Sequence, residues 1–267
     1  MNASKASKRH GHAKVAAEEL KEREEPIRRR DKDATRKRIL DAAVKEFASK
    51  GLEARIEDIA DMAGANRRMA YYYFGSKEAL YLAALEATYL ELVEVEKTID
   101  VDPLHPLDAV AQLVQTKFEH YARFPHYVEF LKLENLYQAR HLKSSKRIDE
   151  LRGPLISIIR RVLQRGQELG VFRRDADPVD LYISICALGF FVYSNQHTLG
   201  TIFGVDPTSP EAIARRRKLI VEMLTAYLRA GVGNAVARDG APAKALLSPP
   251  KAKPARKAAA GKQARKA

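Results

Sequence analysis

The chain has 267 residues, 46% hydrophobic and 30% charged, with 47 Lys+Arg against 34 Asp+Glu. That length supports one or two domains with an ample buried core. The composition excludes an intramolecular disulfide, since Cys186 is the only cysteine, and the most apolar run, Leu181 to Tyr193, is too short to span a bilayer.

A lone thiol and the lack of an apolar secretory segment fit a soluble protein of the reducing cytoplasm, with no membrane partner. Cys186 lies in an apolar helical run and reads as a buried, inert thiol. The net charge of +13 is unevenly placed. Residues 1–34 carry 10 Lys+Arg against 7 Asp+Glu and residues 231–267 carry 9 against 1, so the middle of the chain is close to neutral. Affinity for polyanions follows, at least half of it independent of sequence.

Residues 1–30 are polar, interrupted by Pro26 and ended by Arg28-Arg29-Arg30. They form either a disordered arm or a basic arm laid along phosphates or in a minor groove. From Asp33 to Lys50, the spacing of Ile39, Leu40, Ala43, Val44 and Phe47 predicts an amphipathic helix stopped by Gly51. Thr35 and Arg36 at its start are placed to meet a phosphate, because a helix N-terminus favours anions.

The next stretch organises the chain. Ile56, Ile59, Ala60 and Ala63 make one apolar helical face, and Gly64 supplies the turn. Asn66 then caps a second helix from Arg67 to Phe74, Gly75 ends it, and Ser76 caps the next, with Glu78 in that helix's first turn. A helix, a tight turn and a helix with a basic start form a DNA-reading helix-turn-helix. Arg67 and Arg68 stand at the end that enters the major groove, where an arginine can pair with guanine O6 and N7. Tyr71 and Tyr72 offer hydroxyls to phosphates and ring faces to thymine methyls. Arg55, Asn66, Met69 and Lys77 complete the DNA-facing set, while Ala70, Tyr73 and Phe74 point inward.

Here the chain resembles a known family. Thr35-Arg36-Lys37-Arg38-Ile39-Leu40-Asp41-Ala42-Ala43, Phe47-Ala48, Gly51, Asp58-Ile59-Ala60, Ala63-Gly64 and Tyr71 to Leu80 look like the DNA-binding domain of TetR-family transcriptional regulators. The chain departs from the pattern in the turn after Gly51, in Arg55, where Thr or Ser is common, and in Ala70, where a larger aliphatic is common. The resemblance implies a two-domain, all-α protein. An N-terminal three-helix helix-turn-helix domain (31–80) is followed by a C-terminal helical bundle for ligand binding and dimerisation (81–230).

Beyond the motif, a fourth helix runs from Lys77 to about Thr98, a natural lever between head and body. No strand signal appears in residues 107–230. Helices are predicted at 107–123, 126–141, 149–169 with the helix proper starting near Arg152 because of Pro154, 178–199 and 210–230, nine helices in all. Leu181, Ile185, Leu188 and Val192 form one apolar face and Leu219, Met223 and Tyr227 another. These faces either meet symmetry mates in a four-helix dimer interface or close a monomer core. The stretch 231–267, rich in Lys, Ala and Pro, reads as disordered, and serves as a non-specific DNA tether or as a plain solvated tail.

The resemblance also implies a small-molecule pocket in the bundle. Tyr89, Phe118, Phe130, Glu134, Asn135, Tyr137 and Asn195 are the candidates, with His197 and an exposed His141 nearby, although each taken alone reads first as an ordinary core or surface residue. The histidines lack metal-ligand spacing, and no cofactor is called for. Two functions compete. One is a sequence-specific, dimeric repressor of a palindromic operator, released by an unidentified effector. The other is an architectural DNA binder driven by the tail. No P-loop, GxGxxG or GxSxG motif supports an enzyme.

Overall fold

The computed structural model describes residues 31–147 and 149–231. The expected N-terminal arm and the basic tail from residue 232 onward lie outside them. Among the described residues there are ten α-helices and no strand. They are α1 (31–50), α2 (Ile56–Met62), α3 (Arg67–Phe74), α4 (Lys77–Lys97), α5 (Pro106–Arg123), α6 (Pro125–Leu136), α7 (Leu155–Glu168), α8 (Pro178–Ser194), α9 (Gln196–Phe203) and α10 (Pro210–Arg229). Three 3-10 turns, Gly51–Glu53, Leu142–Ser144 and Glu150–Arg152, join them.

Local chemistry explains most boundaries. Asn66 Oδ1 accepts from the Met69 amide at 3.0 Å, Ser76 Oγ from Ala79 at 3.1 Å and Ser209 Oγ from Ala212 at 3.3 Å. Each satisfies an orphan amide at a helix start. α2 has Arg55 at the same position and no side-chain cap. Pro106, Pro125, Pro178 and Pro210 open their helices where a missing N–H costs nothing.

Three predicted helices are revised. α6 stops at Leu136 rather than continuing to 141, because Gln138 and Ala139 both adopt φ near +56°, which ends a helix. The predicted 149–169 helix begins only at Leu155. Pro154 is its cap, and Gly153 takes φ +62°, in a turn where a Cβ would collide with Glu96 Oε2. The predicted 178–199 helix breaks at Asn195, whose backbone and side-chain amides both donate to the Phe191 carbonyl at 3.1 Å. After the break, α9 leaves at 66° to α8.

Two main cores result. The head core, around Ile39, Phe47, Ile59, Leu80, Tyr81 and Leu85, is built by α1 to α4. The body core, around Val110, Leu113, Phe118, Ile159, Ile185 and Ile220, centres on α5, which packs on α7, α8 and α10. α4 spans both. At 21 residues it is about 30 Å long. The head core is completed from the body. Phe130 of α6 has no exposed surface and lies 5.5 Å from the Tyr81 ring, which is set edge-on to Phe47 at 5.2 Å. No single described helix is long and apolar enough to cross a membrane; α8 and α9 pass that test only as a pair bent by 66°.

Because Phe130 fills space in the head, Phe130→Ala should leave a void there. We expect a loss of about 3–5 kcal/mol of unfolding free energy, read by urea titration. A loss below about 1 kcal/mol would show that the head core closes without α6.

Candidate functional site

The head presents a short, exposed reading helix. The turn from Ala63 to Asn66 relies on Gly64 at φ +60°, and Arg38 of α1 locks it by donating from Nε to the Ala63 carbonyl at 3.1 Å. On α3, Arg67, Arg68, Tyr71 and Tyr72 all stand in solvent, and Tyr72 is 73% exposed. Arg67 pairs with Glu57 of α2 at 2.9 Å and lies over the Tyr71 ring at 5.4 Å. Arg68 makes no ion pair among the described residues. Ala70 is buried, and Tyr73 and Phe74 are half-buried against the head core. Residues 31–80 hold 10 Lys+Arg and 9 Asp+Glu, so placement rather than bulk charge distinguishes this surface.

Four of the expected DNA-facing residues sit differently from the sequence reading. Residues 31–34 are already helical, so Thr35 lies in the second turn; it is buried and accepts from Arg38 at 3.1 Å. Arg36 is exposed and stacks on Phe74 at 4.9 Å. Met69 is half-buried against the head core. The Lys77 ammonium donates to the Leu52 carbonyl and so braces the 3-10 turn after α1. Arg55 and Asn66 are exposed at the starts of α2 and α3.

Among the described residues, the ligand candidates are spread over both cores and the surface. Phe118 is buried in the body core and Phe130 in the head core. Asn135 and Tyr137 are exposed, Tyr89 packs edge-on to Tyr127, and Asn195 is spent on the α8 break. Glu134 is buried, but its carboxylate accepts from Tyr81 Oη at 3.2 Å and the Leu142 amide at 2.9 Å, and lies 2.8 Å from His141 Nδ1. His141 is therefore an internal partner of Glu134 rather than an exposed helix end. His197 lines an open surface groove.

A different set of residues surrounds a small, largely buried cavity between α4, α5 and the start of α7. It measures about 10 Å³, room for one water, and is lined by Leu92, Glu96, Leu113, Lys117, His120 and Leu155 among others. Lys117 and Glu96 pair at 2.9 Å with side chains only 3% and 4% exposed. His120 is 2% exposed, and neither ring nitrogen has a hydrogen-bond partner among the described residues. Burial, and then the Lys117 and His126 charges, push its pKa down to about 3. The ring is held by Phe124 and Tyr127, each 4.9 Å away. The i, i+3 spacing of Lys117 and His120 was a legible signal that polar groups share one face of α5; their burial was not.

On the dimer side, Leu181, Ile185 and Val192 turn into the chain's own core, and Leu188 packs beside it. The apolar residues left exposed on α8 are Val179, Ile183 and Phe191; Leu219, Met223 and Tyr227 are exposed on α10, and Ile202 and Phe203 on α9. Among the described residues no group of three or more His, Cys, Asp or Glu could hold a metal ion.

His120 carries a pH signature. The unfolded chain protonates this imidazole near 6.5, the folded chain only near 3. The unfolded state thus binds the extra proton, and stability falls as pH drops from 6.5 towards 3. Below about pH 6 the loss should approach 1.4 kcal/mol per pH unit. His120→Phe should remove that slope in urea titrations. Equal slopes for both proteins would show that His120 protonates as readily folded as unfolded.

Two family models match the chain. That of the bacterial regulatory proteins, tetR family, covers residues 39–84, and that of the tetracyclin repressor-like C-terminal domain covers residues 106–224. The chain is 36% identical over 211 residues to the HTH-type transcriptional repressor NicS of Pseudomonas putida, covering 79% of this chain and all of the relative. It is 31% identical to the HTH-type transcriptional repressor SCO4008 of Streptomyces coelicolor, covering 60% and 78%. The solved structure of the fatty acid degradation regulator FadR from Bacillus halodurans shares the fold, with a TM-score of 0.53 at 21% identity over 70% of this chain and 94% of that one. A helix-turn-helix head on a helical body, matched along the full length of a named repressor, makes this chain a member of the TetR family of DNA-binding transcriptional regulators.

Proposed function

We propose that this chain is a homodimeric repressor that grips a palindromic operator with two copies of α3 and releases it when a small molecule enters the body. The observation that carries this reading is the sharing of α4. Its first half packs the head core through Leu80, Tyr81, Ala84 and Leu85, and its second half carries Leu92 and Glu96 to the body cavity. A helix that packs the head core at one end and lines the body cavity at the other transmits a change in body packing to the head. Two heads must sit about 34 Å apart to meet successive major grooves, so a small tilt of α4 in each copy breaks the match.

The exposed apolar residues support a second copy as the partner. Ile183 and Phe191 on α8 and Leu219, Met223 and Tyr227 on α10 expose apolar surface of the kind found at protein interfaces. One head reads only a few base pairs, and pairing two heads multiplies affinity. A cytoplasmic location fits a protein that acts on DNA.

Three outcomes test the reading. In selection from genomic fragments at about 150 mM salt, the full chain and a chain ending at Gly231 should enrich the same palindrome; loss of enrichment on truncation would favour tail-driven, architectural binding. Arg68→Ala should weaken that site by about 1–3 kcal/mol in fluorescence anisotropy and leave random DNA unaffected. Equal weakening on both would reassign Arg68 to a phosphate. Leu219→Asp with Met223→Asp should convert the dimer to monomer in sedimentation equilibrium and lower operator affinity at least tenfold; an unchanged mass would move the interface elsewhere.

A further inference from the structure

The segment that follows α6 gathers positive charge against the reading head. Residues 137–147 hold Arg140, Lys143, Lys146 and Arg147 and no Asp or Glu. All four are exposed, and only Arg147 forms an ion pair among the described residues, with Glu150 at 2.6 Å. Other groups anchor the segment. Leu142 packs on the head core, the His141 ring lies 4.6 Å from that of Tyr81, and the buried Ser145 donates its hydroxyl to Glu86 at 2.6 Å. The side chains of Arg140 and Lys143 take no part in this anchoring, yet it holds both of them in a set place beside the head.

The register along α4 says what that place adjoins. α4 opens at Lys77, three residues after α3 ends at Phe74, and the two helices pack together. Tyr81 lies one turn further on, about 6 Å along the axis, and Glu86 about 7.5 Å beyond it. His141 and Leu142 meet the head at the first level and Ser145 at the second, so Arg140 and Lys143 stand nearest the end of α4 that adjoins α3. A helix lying in a major groove about 12 Å wide has a phosphate backbone along each side. The head itself has little charge left for those phosphates. Six of its cations, Lys37, Arg38, Lys50, Arg55, Arg67 and Lys77, already face a carboxylate, hydroxyl or carbonyl of the head. Binding to a duplex draws much of its affinity from counterions released as Lys and Arg neutralise phosphates, so unengaged cations next to α3 have a defined use.

We propose that Arg140 and Lys143 form a second DNA contact, made by the body rather than by the helix-turn-helix, which takes the backbone phosphates bordering each half-site without reading their sequence. The inference rests on the DNA-binding activity of the family and not on the dimer or the effector. Lys146, level with Glu86 and farther from α3, lies outside the contact, and Arg147 is engaged by Glu150. Because the segment is anchored on Tyr81 and Glu86 of α4, the cations are presented with the head and add affinity only when the head is docked.

The test is fluorescence anisotropy of the full chain on the duplex recovered by genomic selection and on a random duplex of equal length, from about 50 to 300 mM salt. Arg140→Ala with Lys143→Ala should weaken both duplexes by the same factor, about tenfold at 150 mM salt. The slope of log Kd against log salt should become shallower by about one for each lost contact per bound copy. Arg140→Lys with Lys143→Arg keeps both charges and should restore the wild-type slope. Arg160→Ala with Arg174→Ala removes two exposed charges elsewhere on the body and should leave it unchanged. A second measurement needs no variant. Amine acetylation of the wild-type chain, read by mass spectrometry, should slow at Lys143 when the duplex is bound and stay the same at Lys146. An unaltered slope for the alanine pair, or Lys143 labelling indifferent to DNA, overturns the contact and leaves the patch to an acidic protein. An equal loss in the Arg160 and Arg174 variant also overturns it, since bulk charge would then account for the effect. If the wild-type chain selects no palindrome, the operator reading fails, while the random duplex and the Lys143 labelling still decide this contact.

Discussion

Tyr81 is the point on which the two halves of the molecule depend. It has no exposed surface, its ring is wedged between Phe47 of α1 and Phe130 of α6, and its hydroxyl donates to the buried Glu134 carboxylate. Burial and Glu134 raise the Tyr81 pKa far above its ordinary value, so the phenol stays neutral and remains a donor. One side chain thus ties the reading head, the connecting helix and the body together through apolar contact and a buried hydrogen bond. Two aromatic neighbours at favourable angles add to the burial of the ring. Packing in the head and packing of α6 are thereby coupled through one side chain.

Glu134 extends the same junction. By accepting the Leu142 amide it holds the chain that returns after α6, where Gln138 and Ala139 adopt left-handed backbone angles without being glycine. Such angles cost about 1–3 kcal/mol each and persist only where the surroundings impose them. The carboxylate, His141 and the 3-10 turn at Leu142–Ser144 provide that constraint. Farther along α4, the Glu96–Lys117 pair is the corresponding polar contact with α5. Buried pairs of this kind add little net stability but penalise mismatched packing, because breaking one leaves a charge in a dry interior.

The head was legible from the residue order because its signals are local. Gly64, Asn66, Gly75 and Ser76 act within a few residues of themselves, through positive φ or a side-chain cap. The same holds for the proline starts of α5, α6, α8 and α10. The all-α class and the family follow from those signals and from helical periodicity. The exposure of Arg67, Arg68 and Tyr72 followed too, since α3 is short and only one of its faces is apolar.

What only the tertiary structure decided is everything that depends on which groups meet across distance. No glycine or proline follows Leu136 to end α6; Gln138 and Ala139 take left-handed angles, and the Glu134 carboxylate holds the returning chain at the Leu142 amide. α8 is apolar all round, so periodicity cannot say which face is inward, and Leu181, Ile185 and Val192 went to the core while Ile183 and Phe191 remained outside. Lys117 and His120 read as ordinary polar residues until Glu96, 21 positions away, is brought against one of them and the other is left without a partner. Residue order determined the helices and their ends, because caps and turns are short-range forces. Packing determined the cavity, its charge balance and the head-to-body junction, because burial is a property of the whole fold.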